Sequence, residues 1–233
     1  MIKEHPILFS APMVRAILEG RKTVTRRVMK VQPPTERHQL LHIMDSTERS
    51  QVGKSYWAML NPEKTNVIES DRRYFCCPYG QPGDRLWVRE AHAFVPEPAY
   101  RRSTGIYQQI NPSDAYEACV YRENFDRARN FPWRPSIHMP RWASRILLEI
   151  TDVRVERLQD ISEEQALTEG VHYDSPHRAY FGTDTGGIAC NSARCAFADL
   201  WQSINGPGSW DANPFVWAVS FKVIQPPQEH HHD

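Results

Sequence analysis

Apolar positions in this chain fall into a few short stretches with clear periods, separated by long polar tracts. The first, from Ile7, runs into a punctuated helix: Ser10 suits the residue before the first turn, Pro12 suits that turn, and Gly20 suits the left-handed position past its end. Thr23 to Val28 then alternates as a short strand. Leu86 and Val88 alternate with Arg85, Trp87 and Arg89, the pattern of a half-buried strand entered from the turn Pro82-Gly83-Asp84. Residues 144–158 carry the strongest strand signal. Ile146, Leu148 and Ile150 alternate there, and after a bend at Thr151-Asp152 the period resumes at Val153 and Val155. Ser162 followed by Gln165 is a capping box opening a helix that stops at Gly170. Ala193 to Ile204 is amphipathic, with Ala196, Phe197, Leu200, Trp201 and Ile204 on one stripe. Last, Phe215 to Val223 puts Phe215, Trp217, Val219, Phe221 and Val223 on one face of a core strand.

The tracts between these elements read as loops. Residues 31–75 are polar and irregular, 95–115 lack periodicity, and 171–190 are rich in Gly, Tyr and Asp. Glu117 to Tyr121 suits a short strand. Phe131 to Trp142 holds three prolines, Pro132, Pro135 and Pro140, which forbid a central strand or helix interior. The expectation is one α+β domain over residues 1–233, β-rich, with three short helices and insertions at 31–75, 93–132 and 171–190. A partly closed β-barrel is the natural way to bury its strands.

Composition narrows the function classes. Lys plus Arg and Asp plus Glu both number 28 in 233 residues, which excludes a surface that is basic throughout and permits a local basic cleft. Arginine concentrates at 15, 21, 26 and 27, at 85 and 89, and at 134, 141 and 145. No run approaches the ~18 apolar residues of a membrane helix, and the start lacks a signal-peptide pattern, so no membrane partner and a cytoplasmic location are expected. The five cysteines read as reduced thiols; Cys76-Cys77 and the Cys190/Cys195 pair lack zinc spacing, so neither metal nor cofactor is expected. His230 to His232 read as a solvated tail.

The densest chemistry follows Gly20, where Arg21 to Arg27 hold one lysine, two threonines and three arginines. A threonine hydroxyl is inert unless a base sits within about 3 Å, and a lysine serves only if burial lowers its pKa by several units. On a strand, residues three apart face opposite ways. Lys22 must therefore lie in the turn for it to converge with Thr25; alternatively, Lys22 and the arginines are phosphate contacts. Trp87 shares a strand face with Arg85 and Arg89, which suits stacking on a base, as Trp133, Trp142 and Trp210 also could. Trp201 and Trp217 lie on apolar stripes and read as core. His138 sits between Ser136 and Arg141 in the proline-locked segment, as a structural histidine or part of a ligand loop. Glu90 is a second acid candidate or an ion-pair partner of Arg89.

The helix followed by Gly-Arg-Lys-Thr-Val-Thr-Arg-Arg, the Pro-Gly-Asp turn into a strand, the capped helix and the apolar final strand together resemble the ASCH domain, a small β-barrel related to PUA domains. Trp-Val-Arg-Glu at 87–90 and Ser-Ile-His-Met-Pro-Arg-Trp at 136–142 resemble its phage and prophage branch. The likeness covers about 6–30, 79–92, 133–170 and 192–224. It implies a cleft for RNA or a modified base beside a PUA-like barrel. Small ASCH proteins that deacylate N4-acetylcytidine use a lysine, a threonine three residues later and a distant glutamate, which fall on Lys22, Thr25 and Glu169. Glu169 has a plain reading too, as a solvated residue at a helix end, where the dipole mildly disfavours a carboxylate. Arg26 departs from the apolar residue often found there. The implied contacts are Arg26, Arg27, Trp87, Arg89, Glu90, His138, Arg141 and Trp142, and the implied ligand is RNA or a modified nucleoside or nucleotide. An amidohydrolase, a silent RNA-binding module and a ribonuclease are the functions left open.

Overall fold

A computed structural model describes residues 2–70, 73–103, 105–125, 132–182 and 187–225; Phe131 and His230 to His232 lie outside them. In chain order the first elements are β1 (Glu4–Leu8), α1 (Ala11–Leu18), β2 (Val24–Val28), β3 (Gln39–His42), β4 (Ser55–Leu60) and β5 (Val67–Ser70). There follow β6 (Arg85–Arg89), β7 (His92–Pro96), β8 (Gln108–Asn111), β9 (Asp114–Tyr121) and β10 (Leu147–Arg157). The rest is α2 (Glu163–Thr168), β11 (His172–Asp174), β12 (Ala179–Phe181), α3 (Ala193–Asn205) and β13 (Phe215–Gln225).

The long apolar stretches form one five-stranded sheet in the order β1-β6-β10-β13-β2. Only β1 and β6 run parallel; the other pairings are antiparallel. The bend read at Thr151-Asp152 is a register shift between Ile150 and Asp152, and one extra residue moves the inward positions from even to odd numbers. One face of β13 puts Trp217, Val219 and Phe221 into the main core, with Ile7, Trp57, Leu86 and Leu148. The strand was expected to bury a single face. Val216 and Ala218 are buried as well, and Val216 joins the layer of α2 and α3, because a central strand is covered on both sides. Val223, expected in the core, is partly exposed near the strand end.

The architecture is α+β, mostly strands with three helices. Among the described residues no sheet closes into a barrel. Edge strands β1 and β2 meet through a side chain in place of a ladder, Arg27 Nη2 donating to the Leu8 carbonyl at 2.6 Å.

The helices follow their punctuation. Pro12 lies in the first turn of α1, and Gly20 takes φ +74° beyond it. At α2 both capping-box bonds form, Gln165 N to Ser162 Oγ at 3.1 Å and Ser162 N to Gln165 Oε1 at 3.0 Å. Ser192 accepts from Cys195 N at the start of α3.

The insertions are more ordered than their composition implies. Within 31–75, β3, β4 and β5 form a sheet anchored by Trp57, whose Nε1 donates to the Val31 carbonyl and whose ring lies 4.7 Å from Phe215. Between 93 and 125, β7, β9 and β8 make a second small sheet over Ala93, Val95, Ala118 and Val120. Within 171–182, β11 and β12 pair as a hairpin. Glu117 to Tyr121, read as a strand, lies within β9, and the other strands pair with neighbours close in sequence. The proline segment holds two 3₁₀ turns, Ser136–His138 and Arg141–Ala143. All five cysteines are free. No helix among the described residues is long and apolar enough to cross a membrane.

Candidate functional site

Two helix ends converge to build the site. Gly20 and Gly170 each take a positive φ past their helix, and the chain after α1 then runs against the end of α2. Lys22 N donates to the Ala16 carbonyl, Thr23 N donates to the Thr168 carbonyl, and Lys22 bridges Glu169 in antiparallel fashion. A side chain at Gly170 would meet Ala16 Cβ at 3.2 Å, so glycine there permits the approach. Lys22 thus lies in the turn before β2, as convergence with Thr25 required.

Inside this junction Lys22 is sealed from solvent. Its three ammonium protons meet three acceptors: the Val24 carbonyl at 2.8 Å, the Glu169 carbonyl at 2.8 Å and Glu169 Oε2 at 2.7 Å. Burial pulls the lysine pKa down; the Glu169 carboxylate pushes it back up, Arg27 and Arg26 add to the lowering, and the balance lies below the ordinary lysine value. Thr25 is buried to within 3 % and opens onto the adjoining cleft, with no hydrogen-bond partner for its hydroxyl among the described residues.

Arg26 was expected to touch substrate, but its side chain is fully buried between two carboxylates. Nη1 reaches Glu169 Oε1 at 3.2 Å and Nη2 reaches Glu156 Oε2 at 2.8 Å, while Nε has no partner. Glu156 also accepts from Arg154, which bonds Asp152 in turn. Burial raises the Glu156 pKa, but the Arg154 and Arg26 bonds outweigh it and hold the carboxyl below its ordinary value. Charges therefore alternate from exposed Asp152 inward to Lys22. Arg27 stands apart: it caps the Leu8 carbonyl, lies 5.4 Å from the Phe9 ring centre, and has no carboxylate partner among the described residues.

The cleft has a volume of about 360 Å³, within the ~300–1,000 Å³ typical of small-ligand sites. Thr25, Arg26, Arg27, Glu169 and Ser10 supply its polar wall. Phe9, Met13, Leu200, Trp201 and Ile204 supply the apolar one. The α3 stripe was read as core; Leu200 and Trp201 are buried and also wall the cleft, and Ile204 is half exposed at its edge.

Four candidates thus line the cleft, Thr25, Arg26, Arg27 and Glu169, and Lys22 lies behind it on Glu169. The others do not line the cleft. Trp87 is buried, with the Arg89 and Arg141 guanidinium groups 4.8 Å and 6.0 Å from its ring, so its flat face is already occupied. Arg89 donates to the Met139 carbonyl and Arg141 to Glu4. Trp142 stacks on Phe94 at 5.3 Å, Trp133 packs on Phe125, and Trp210 packs on Phe197. His138 is exposed on its 3₁₀ turn, whose first residue, Ser136, reaches the cleft rim. Glu90 pairs with Arg145 and not Arg89, both Nε–Oε1 and Nη2–Oε2 at 2.8 Å, and the pair is buried.

Glu156 was missed by sequence reasoning. Its signal was present as Asp152, Arg154 and Glu156, alternating in sign on one strand face, with Ala218 of β13 facing both Arg154 and Arg26. Among the described residues no three His, Cys, Asp or Glu side chains group as a metal site. No family model, curated protein or solved structure matches this chain.

Proposed function

We propose that this chain is an ASCH-like, PUA-related protein whose cleft binds a modified nucleoside and hydrolyses an acyl amide on its base, with N4-acylated cytidine as the substrate class. The observation that carries this reading is the sealed Lys22–Glu169 pair, whose carboxylate shares a ligand-sized cleft with a buried threonine of unengaged hydroxyl. Nothing in an ordinary core requires that combination.

The chemistry divides as follows. A proton shared across the 2.7 Å between Lys22 Nζ and Glu169 Oε2 can rest on either atom. With the proton on Glu169, Lys22 is a neutral amine and Glu169 an acid. Thr25 Oγ attacks the acyl carbon, its proton passes to Lys22, and Glu169 protonates the departing exocyclic nitrogen. The products are cytidine and an acyl ester on Thr25. Water then attacks the ester, the carboxylic acid leaves, and the threonine regains its proton. Arg26 holds Glu169 Oε1 and so fixes the carboxyl plane for this exchange.

A silent base-binding cleft is the second reading. It is favoured by the saturation of Lys22 Nζ, since an ammonium with three acceptors also serves as a cross-link between two helix ends. Incubating the protein, Lys22→Ala and Thr25→Ala with N4-acylated cytidines and following deacylation by chromatography separates the two. Release by the native chain alone establishes hydrolysis. Cytidine binding without release by any of the three leaves the silent cleft.

A further inference from the structure

The cleft walls hold a second polar feature that the deacylation reading does not use. Helix α1 begins on the cleft, with Ser10 and Met13 among the lining residues. The first N–H groups of a helix have no acceptor within it and carry the positive end of its dipole. Among the described residues Ser10 makes no side-chain cap bond, and the first turn holds no acidic residue. Beside this terminus Arg27 caps the carbonyl of Leu8 and lies over Phe9, the two residues leading into Ser10. Its Nε is buried without a partner.

On the same cleft the hydroxyl of the nearly buried Thr25 has no partner among the described residues. Buried polar groups without a partner are uncommon in folded proteins, so an unpartnered hydroxyl on the cleft points to an acceptor that the ligand supplies. The neighbouring carboxylate does not supply it, because both Glu169 oxygens are covered by Lys22 and Arg26. Charge follows the same pattern: Lys22 and Arg26 are matched by Glu169 and Glu156, whereas Arg27 has no counterion among the described residues.

We infer that the start of α1 and Arg27 form an anion-binding subsite of the cleft, so that its ligand carries a negative group next to a flat apolar body. Resting on the nucleoside reading, this makes the substrate an anionic derivative. The charge is either a phosphate ester on the ribose or a carboxylate at the end of the acyl chain. Ser10 and the N–H groups of Ala11 and Met13 would hold the anion, with Arg27 opposite; Pro12 has no N–H to offer.

Calorimetric titration at low salt tests this without relying on turnover. The ligands are orthophosphate alone, cytidine against cytidine 5′-monophosphate, and N4-acetylcytidine against N4-succinylcytidine. The expected result is at least tenfold tighter binding of the anionic member of one pair, and which pair shows it identifies the source of the charge. Arg27→Gln should remove that advantage. Ser10→Asp should remove it as well while raising the melting temperature, because an aspartate there caps the helix and occupies the subsite with its own charge. Orthophosphate binding that both variants abolish, with no nucleoside binding, supports the subsite and overturns the nucleoside reading. The subsite is overturned if neither orthophosphate nor any anionic member binds preferentially, or if the preference survives in Ser10→Asp.

Discussion

Lys22 has no route to solvent, and that decides what its removal does. Truncating one member of a buried, hydrogen-bonded ion pair leaves the other desolvated without full compensation, typically at about 3–5 kcal/mol. Arg26 still reaches Glu169, so Lys22→Met should fall toward the lower end, about 3 kcal/mol by urea unfolding. The pair also shapes the pH dependence of the proposed reaction. Loss of the proton that the pair shares removes the acid. Deacylation should therefore fall on the alkaline side at a pH below the ordinary lysine pKa, because burial lowers Lys22. A monotonic rise through that range would exclude the shared-proton scheme. Glu90 offers a contrast. Glu90→Gln strips Arg145 of its bidentate partner and should cost about 3–5 kcal/mol in the same unfolding assay. Nucleoside affinity should stay within twofold of native, since Glu90 lies away from the cleft.

At the scale of elements, the site depends on how helices and turns end. Gly170→Ala forces a side chain into φ +102° and to 3.2 Å from Ala16 Cβ, which should cost about 1–3 kcal/mol. It should lower deacylation more than Ser162→Ala, which loses only the remote capping box. The turn before β6 supplies a pH dependence of stability. Backbone N–H bonds from Lys3 and then Gln81 hold the Asp84 carboxyl below its ordinary value, against desolvation. The unfolded chain thus takes up the proton first as pH falls. This contribution is complete above about pH 4, near the ordinary aspartate pKa, and is lost as pH drops through the lower folded value. Melting temperatures between pH 5 and 2.5 should fall less steeply for Asp84→Asn than for the native chain.

Across the whole molecule, the segment 31–75 packs on the main core through Trp57, with Val31, Leu40 and Phe75 beside it. Trp57 sits 4.7 Å from Phe215 and 6.2 Å from Phe75, and it is almost fully buried. Trp57→Ala should cost about 3–5 kcal/mol. Because the ring belongs to the central cluster, the loss should appear in the main unfolding transition and not as a separate early phase. The same packing explains what was legible beforehand. Strands β10 and β13 are eleven residues each and impose period two over enough positions to be read, whereas β11 and β12 have three each. Trp87 looked available because its strand neighbours are arginines. Arg89 and the distant Arg141 instead cover the ring.

Local chemistry alone determined the helix limits, the bulge at Thr151-Asp152 and the cluster after Gly20, since capping, glycine's left-handed freedom and side-chain alternation act within a few residues. The pairing of Lys22 with Glu169 was expected only through resemblance, because 147 positions separate them and no local rule spans that distance. Tertiary structure decided the rest. It left the sheet open where a partly closed barrel was expected, took Arg26 into an ion-pair chain with Glu156, and covered Trp87. It also left Arg27, among the described residues, without a counterion beside a helix start that Ser10 does not cap. Each outcome depends on which distant charges and faces are brought together out of water, and strand order sets that, not the sequence around any one residue.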